Sequence, residues 1–230
     1  MVAVIGDVHG CYHTLKELVD KIKNKYPNIK IFCVGDLVDR GNNSFEVVEF
    51  VVAEKIQCVI GNHDFMFYSN MRDPFSLMAK SWNYNGAETT LASYKDKLNQ
   101  IDKHLDLIIN SPLFFNLDDC FISHAGISKS LKDKLPENFL SDDAALKEIL
   151  SNDLFNQNSI IWARGDLLNI GKLQVVGHTH RKEVFFDKDA NAVYIDTTAY
   201  GNNKLTAVIV DQNRIVDSLE LKTVIDDVNR

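Results

Sequence analysis

Five short blocks hold most of the capacity for chemistry in this 230-residue chain. They are Gly6-Asp7-Val8-His9-Gly10, Gly35-Asp36-Leu37-Val38-Asp39-Arg40-Gly41, Gly61-Asn62-His63-Asp64, His124-Ala125-Gly126 and Gly177-His178-Thr179-His180. Five of the seven histidines and seven of the eleven glycines fall inside them. Aspartate, asparagine and histidine together offer oxygen and imidazole donors, a mixture that suits a pair of divalent cations. Two such cations can offset the charge of a phosphate ester and make a nucleophile from water. A single Asp or His of this kind is ordinarily a turn residue; an ordered set of blocks is not.

Elements must bring these blocks together. Most of them follow a short apolar run, at residues 2–5, 31–34, 58–60, 121–122 and 175–176. That pattern predicts ligands at the carboxyl ends of buried strands, with glycines letting the backbone turn at the site. Leu15, Leu18, Val19 and Ile22 recur at helical spacing. Ser44 reads as the N-cap of a helix burying Phe45, Val48, Val51 and Val52. The opening is therefore β-α-β-α-β, which implies parallel strands. Residues 65–110 read as mostly helical and contain Ser81-Trp82-Asn83-Tyr84-Asn85-Gly86, a polar-aromatic patch suited to a cap beside the site. Strands are expected at 114–117, 120–123, 173–176, 192–196, 205–211 and 215–221, interrupted by a helical insertion at 141–154. The expected class is α/β (α+β), one domain over residues 1–230.

Composition narrows the function classes. The chain is 45% hydrophobic and 25% charged, ordinary for a globular protein. A net charge of −7 without a basic run disfavours nucleic acid as a partner. No apolar stretch approaches about 18 residues, so no membrane partner is expected. With Met1 leading directly into a strand, the expected location is cytoplasmic. Cys11, Cys33, Cys58 and Cys120 are scattered and read as buried thiols of a reducing compartment.

In order and composition the five blocks resemble the calcineurin-like metallophosphoesterases, and within them the compact bacterial and phage branch of the phosphoprotein phosphatases. The likeness runs from Val2 to about Val210. It implies two packed mixed β-sheets flanked by helices. It also implies a first cation on Asp7, His9 and Asp36 and a second on Asp36, Asn62, His124 and His178, with Asp36 bridging. His180 matches a further ligand of the wider superfamily, and its one-residue spacing from His178 allows both to converge. Manganese is the first expected metal, with iron, zinc, nickel or cobalt as alternatives. By the same resemblance His63, paired with Asp39, is the general acid. Arg40 and Arg164, the latter in Trp162-Ala163-Arg164, grip the phosphate with Asn62 nearby, and Tyr200 lies in a loop that could touch substrate.

The resemblance implies a protein serine/threonine phosphatase, acting on a phosphorylated protein or peptide by direct attack of a metal-bound hydroxide. Asp64 departs from the glutamate usual there and also resembles the diadenosine tetraphosphate hydrolases, the alternative expectation. For that rival, Trp82 and Tyr84 are the expected stacking surfaces. A catalytically silent scaffold is a second alternative, which the full ligand set opposes.

Overall fold

A computed structural model describes residues 1–228. In chain order, Val2–Ile5 (β1) is followed by Tyr12–Lys25 (α1), Lys30–Cys33 (β2), Ser44–Ala53 (α2) and Gln57–Cys58 (β3). Four helices come next: Asn62–Arg72 (α3), Leu77–Trp82 (α4), Ala87–Tyr94 (α5) and Ile101–Asn110 (α6). Phe114–Asn116 (β4), Phe121–Ser123 (β5), Asp143–Ser151 (α7), Gln174–Val176 (β6), Phe185–Asp187 (β7), Ala192–Tyr194 (β8), Lys204–Asp211 (β9) and Arg214–Lys222 (β10) complete the chain.

The strands form two five-stranded sheets, ordered β10-β9-β1-β2-β3 and β4-β5-β6-β8-β7. Both are mixed. β1, β2 and β3 run parallel while β9 lies antiparallel to β1. In the second sheet β5, β6 and β8 run parallel, with β4 and β7 antiparallel at the edges. This is the expected pair of mixed sheets flanked by helices.

Side-chain alternation along β1 explains the layers. Val2 and Val4 point between the sheets, packing in one cluster with Phe32, Val34, Ile122, Val175, Val193 and Val208. Ala3 and Ile5 point to the other face, where Leu15, Leu18, Val19 and Ile22 of α1 and Val47, Val48 and Val51 of α2 cover them. All four cysteines are buried free thiols. No helix among the described residues is long and apolar enough to cross a membrane.

Several expectations need correction. Ser44 is the first residue of α2 and not its cap; the cap position is Asn43. The Ser44 hydroxyl turns inward instead, accepting from the Asp39 amide at 3.2 Å. α3 begins at Asn62, inside the third block, and not after it. β7 was not expected, because Phe185 and Phe186 are both exposed and show no buried alternation.

Candidate active site

All five blocks lie at the carboxyl ends of strands: β1, β2 and β3 in one sheet, β5 and β6 in the other. The first two are tied by backbone. Val8 and His9 both donate to the Asp36 carbonyl, at 3.1 and 2.8 Å, and Gly41 donates to the His9 carbonyl at 3.0 Å. These ties hold the backbone in an uncommon shape. His9, Asp36, Asp39, Arg40 and His178 have φ of 46°, 52°, 72°, 70° and 60°, each costing a non-glycine residue roughly 1–3 kcal/mol. Asp64 fastens the second block to the third, accepting from Leu37 at 2.8 Å and from Gly61 at 3.1 Å. Its carboxylate therefore faces backbone and not an open site, which accounts for the departure from glutamate in structural terms.

Carbonyl oxygens set the histidine tautomers. His9 donates from Nδ1 to Val38 at 2.9 Å, and His124 from Nδ1 to Val34 at 2.8 Å. His178 donates from Nε2 to Trp162 at 3.2 Å. The remaining ring nitrogen of each then carries a lone pair, as a metal ligand must. These lone pairs converge on oxygens. His9 Nε2 lies 3.4 Å from Asp36 Oδ2, while His124 Nε2 lies 3.5 Å from Asp36 Oδ1. His124 Nε2 and His178 Nδ1 both lie 2.8 Å from Asn62 Oδ1. Two compact donor groups result: His9, Asp36 and His63, and Asp7, Asp36 and His124. Asp36 belongs to both.

Electrostatics point the same way. Burial pushes His124 and His63 down to about 4 and His9 and His178 well below the ordinary histidine range, so all four rings are neutral. Burial, with Asp196 and Asp36 close by, holds Asp7 well above the ordinary carboxylate range, and burial also raises Asp36. Crowded buried carboxylates face neutral imidazole lone pairs beside the Arg40 guanidinium, and divalent cations fit the charge deficit that remains.

Beside these groups Asp39 Oδ2 meets His63 Nδ1 at 2.7 Å. Asp39 is fully buried, and burial pushes it up to about 7. It also accepts from Thr90 Oγ1 at 2.7 Å and from the Trp82 indole N–H, 2.9 Å from both carboxylate oxygens. Trp82 is thus buried and cannot present a stacking face, while Tyr84 is 90% exposed. Arg40 donates to His9 Nε2 at 2.9 Å and to His63 Nε2 at 3.0 Å, with its guanidinium 4.3 Å above the Tyr200 ring. Tyr200 meets His9 edge-on at 4.9 Å. Arg164 is exposed and donates to the His178 carbonyl at 3.4 Å.

His180 is exposed and, like His178, lies outside the two compact donor groups. Conversely, sequence reasoning missed Asp196, buried at the end of β8, whose charge bears on Asp7. Its signal was the apolar run of residues 192–195 ending in an acid, the same pattern as β1 and Asp7.

A family model described as calcineurin-like phosphoesterase matches residues 1–182. The chain is 33% identical to the asymmetrical bis(5'-nucleosyl)-tetraphosphatase PrpE of Oceanobacillus iheyensis, over 89% of this chain and 86% of that one. A Bacillus subtilis protein of the same name is 30% identical over 88% of each chain. Among solved structures, a cold-active protein-tyrosine phosphatase of a psychrophilic Shewanella matches with a TM-score of 0.65 and 19% identity, covering 97% of this chain and 80% of that one. A Saccharomyces cerevisiae serine/threonine phosphatase matches with a TM-score of 0.52 and 16% identity, over 97% and 80%. At those identities the structural likeness concerns the fold.

Proposed function

This chain belongs to the calcineurin-like phosphoesterases, and from that premise we propose that it hydrolyses dinucleoside polyphosphates at a pair of divalent cations. The observation carrying the reading is Asp36, whose two oxygens face histidines of different blocks, His9 and His124. Asp7, His9 and Asp36 would hold one cation, and Asp36, Asn62, His124 and His178 the other. Bound there, such ions supply charge neutralisation and an activated water.

The chain's own residues do the rest. Arg40, in the second block, and Arg164, on the His178 carbonyl, can each grip phosphate oxygens through a planar guanidinium. Arg40 would exchange its bond to His9 for substrate oxygen once an ion takes the ring nitrogen. His63, fixed through Nδ1 by Asp39, presents Nε2 to the leaving oxygen. The substrate class rests on the relatives named tetraphosphatases, which share about a third of this sequence across most of its length.

One observation favours the protein phosphatase reading as a second. A departing nucleotide phosphate is weakly basic and leaves with little protonation, whereas a serine alkoxide needs an acid. The Asp39–His63 pair suits the second case once His63 takes up a proton at Nε2, the atom that accepts from Arg40 in this structure.

A panel decides between them. Protein stripped of metal and reloaded with manganese, iron, zinc, nickel or cobalt is assayed on diadenosine tetraphosphate, phosphoserine peptide and phosphotyrosine peptide. The expected outcome is highest kcat/KM on the dinucleotide, with AMP and ATP as products. Preference for a phosphopeptide would transfer the function to the second reading, and full turnover by metal-free protein would remove both.

A further inference from the structure

This inference rests on the dinucleotide reading and deepens it. An asymmetrical cut breaks the bridge between the first and second phosphates, so one nucleoside is at most one phosphate away from the attacked phosphorus and its base must settle close to the cations. Which surface receives it is not obvious. Trp82 is buried with its N–H committed to Asp39. Tyr200 has Arg40 over its face and His9 against it.

Trp162 remains. It is half-buried, its carbonyl accepts from His178, and its ring stands edge-on to that imidazole at 6.2 Å. With Gln157, Asn158 and Arg164 it lines a recess of about 440 Å³, within the range of roughly 300–1,000 Å³ typical of small-molecule sites. Arg164 sits on the His178 carbonyl, and the recess it lines also holds the two amides and the indole. A cation for phosphate and amides for a base are what a nucleotide needs from one recess. Carboxamides pair with adenine through its amino group and N7, and an indole offers a stacking face.

We infer that Gln157, Asn158 and Trp162 form the subsite for the base of the nucleoside nearest the attacked phosphorus, with adenine preferred. Arg164 holds the phosphate at the boundary between recess and cations.

The test compares AMP with ribose 5-phosphate as inhibitors of p-nitrophenyl phosphate hydrolysis by the manganese-loaded protein. AMP should inhibit about tenfold more strongly, the scale of one well-paired base edge. In Gln157→Ala/Asn158→Ala, two substitutions at exposed or half-buried loop positions, that advantage should disappear. The ratio of kcat/KM for diadenosine tetraphosphate to that for p-nitrophenyl phosphate should fall by a similar factor, chiefly through KM. An AMP no better than ribose 5-phosphate, or an advantage that survives the double substitution, overturns the subsite. If the wild type cuts no dinucleotide while AMP keeps an amide-dependent advantage, the function reading falls and the subsite stands.

Discussion

Trp82 and Asp39 stand 43 positions apart, yet a single indole N–H reaches both oxygens of the carboxylate. Thr90 adds a bond to Oδ1, leaving Oδ2 turned to His63. Side-chain donors thus fix the orientation of the carboxylate that orients the imidazole. Trp82→Phe keeps most of the buried volume and removes the donor. On alkyl phosphates it should lower kcat by about tenfold, against about 10²–10⁴-fold for His63→Asn. Both losses should shrink on p-nitrophenyl phosphate, whose leaving group needs little protonation, with KM and metal content unmoved. A uniform loss across leaving groups would reduce Trp82 to packing. Nothing in the sequence showed this contact. Trp82 is flanked by Ser81, Asn83, Tyr84 and Asn85, a polar setting that reads as surface, and its burial depends on an aspartate in another block.

Among the elements, the strands that carry the blocks were legible because they are apolar runs buried on both faces, as β1 and β6 are. Their ends were less legible: β3 stops at Cys58, and the backbone to Gly61 is irregular. One-residue convergence assumes an extended chain, and His178, ahead of the exposed His180, has φ of 60°. The junction after β6 is the tightest of these ends. A Cβ on Gly177 would overlap the Asp7 carboxylate and the Val34 side chain. Gly177→Ala should therefore displace Asp7 and release at least one cation while far-UV circular dichroism stays unchanged. Gly171→Ala makes the contrast: its φ is +74° but nothing lies within 4 Å of the added methyl. It should cost about 1 kcal/mol and keep both ions by elemental analysis. Equal metal content in the two variants would refute the crowding argument.

The whole molecule folds around buried acids that resist ionisation. Asp39 and Asp64 are pushed up to about 7, chiefly by burial, and Asp7 well above its ordinary range. In metal-free protein the folded state therefore keeps protons that the unfolded chain has lost, and stability drains as pH rises through 7. The buried histidines act oppositely, since the unfolded chain takes up protons below about 6.5 that the folded rings refuse. The two effects oppose up to about pH 7, by which the unfolded imidazoles are largely neutral; past it the carboxylates dominate. With chelator present, Tm should fall between pH 7 and 8 as Asp39 and Asp64 lose their remaining protons, at about 1.4 kcal/mol per pH unit for each proton retained, and added manganese should abolish the fall. A Tm rising over that interval without metal would contradict the assignment. The placement of the two tryptophans has an optical consequence. The chain contains no others: Trp82 is sealed against the Asp39–His63 pair, and Trp162 stands half in solvent on the opposite flank, its carbonyl on His178. Ultraviolet emission of the unlabelled protein therefore divides into a blue component from one side of the centre and a red one from the other. The proposed proton donor and the proposed base subsite can thus be followed separately in a stopped-flow trace, each by its own intrinsic lamp.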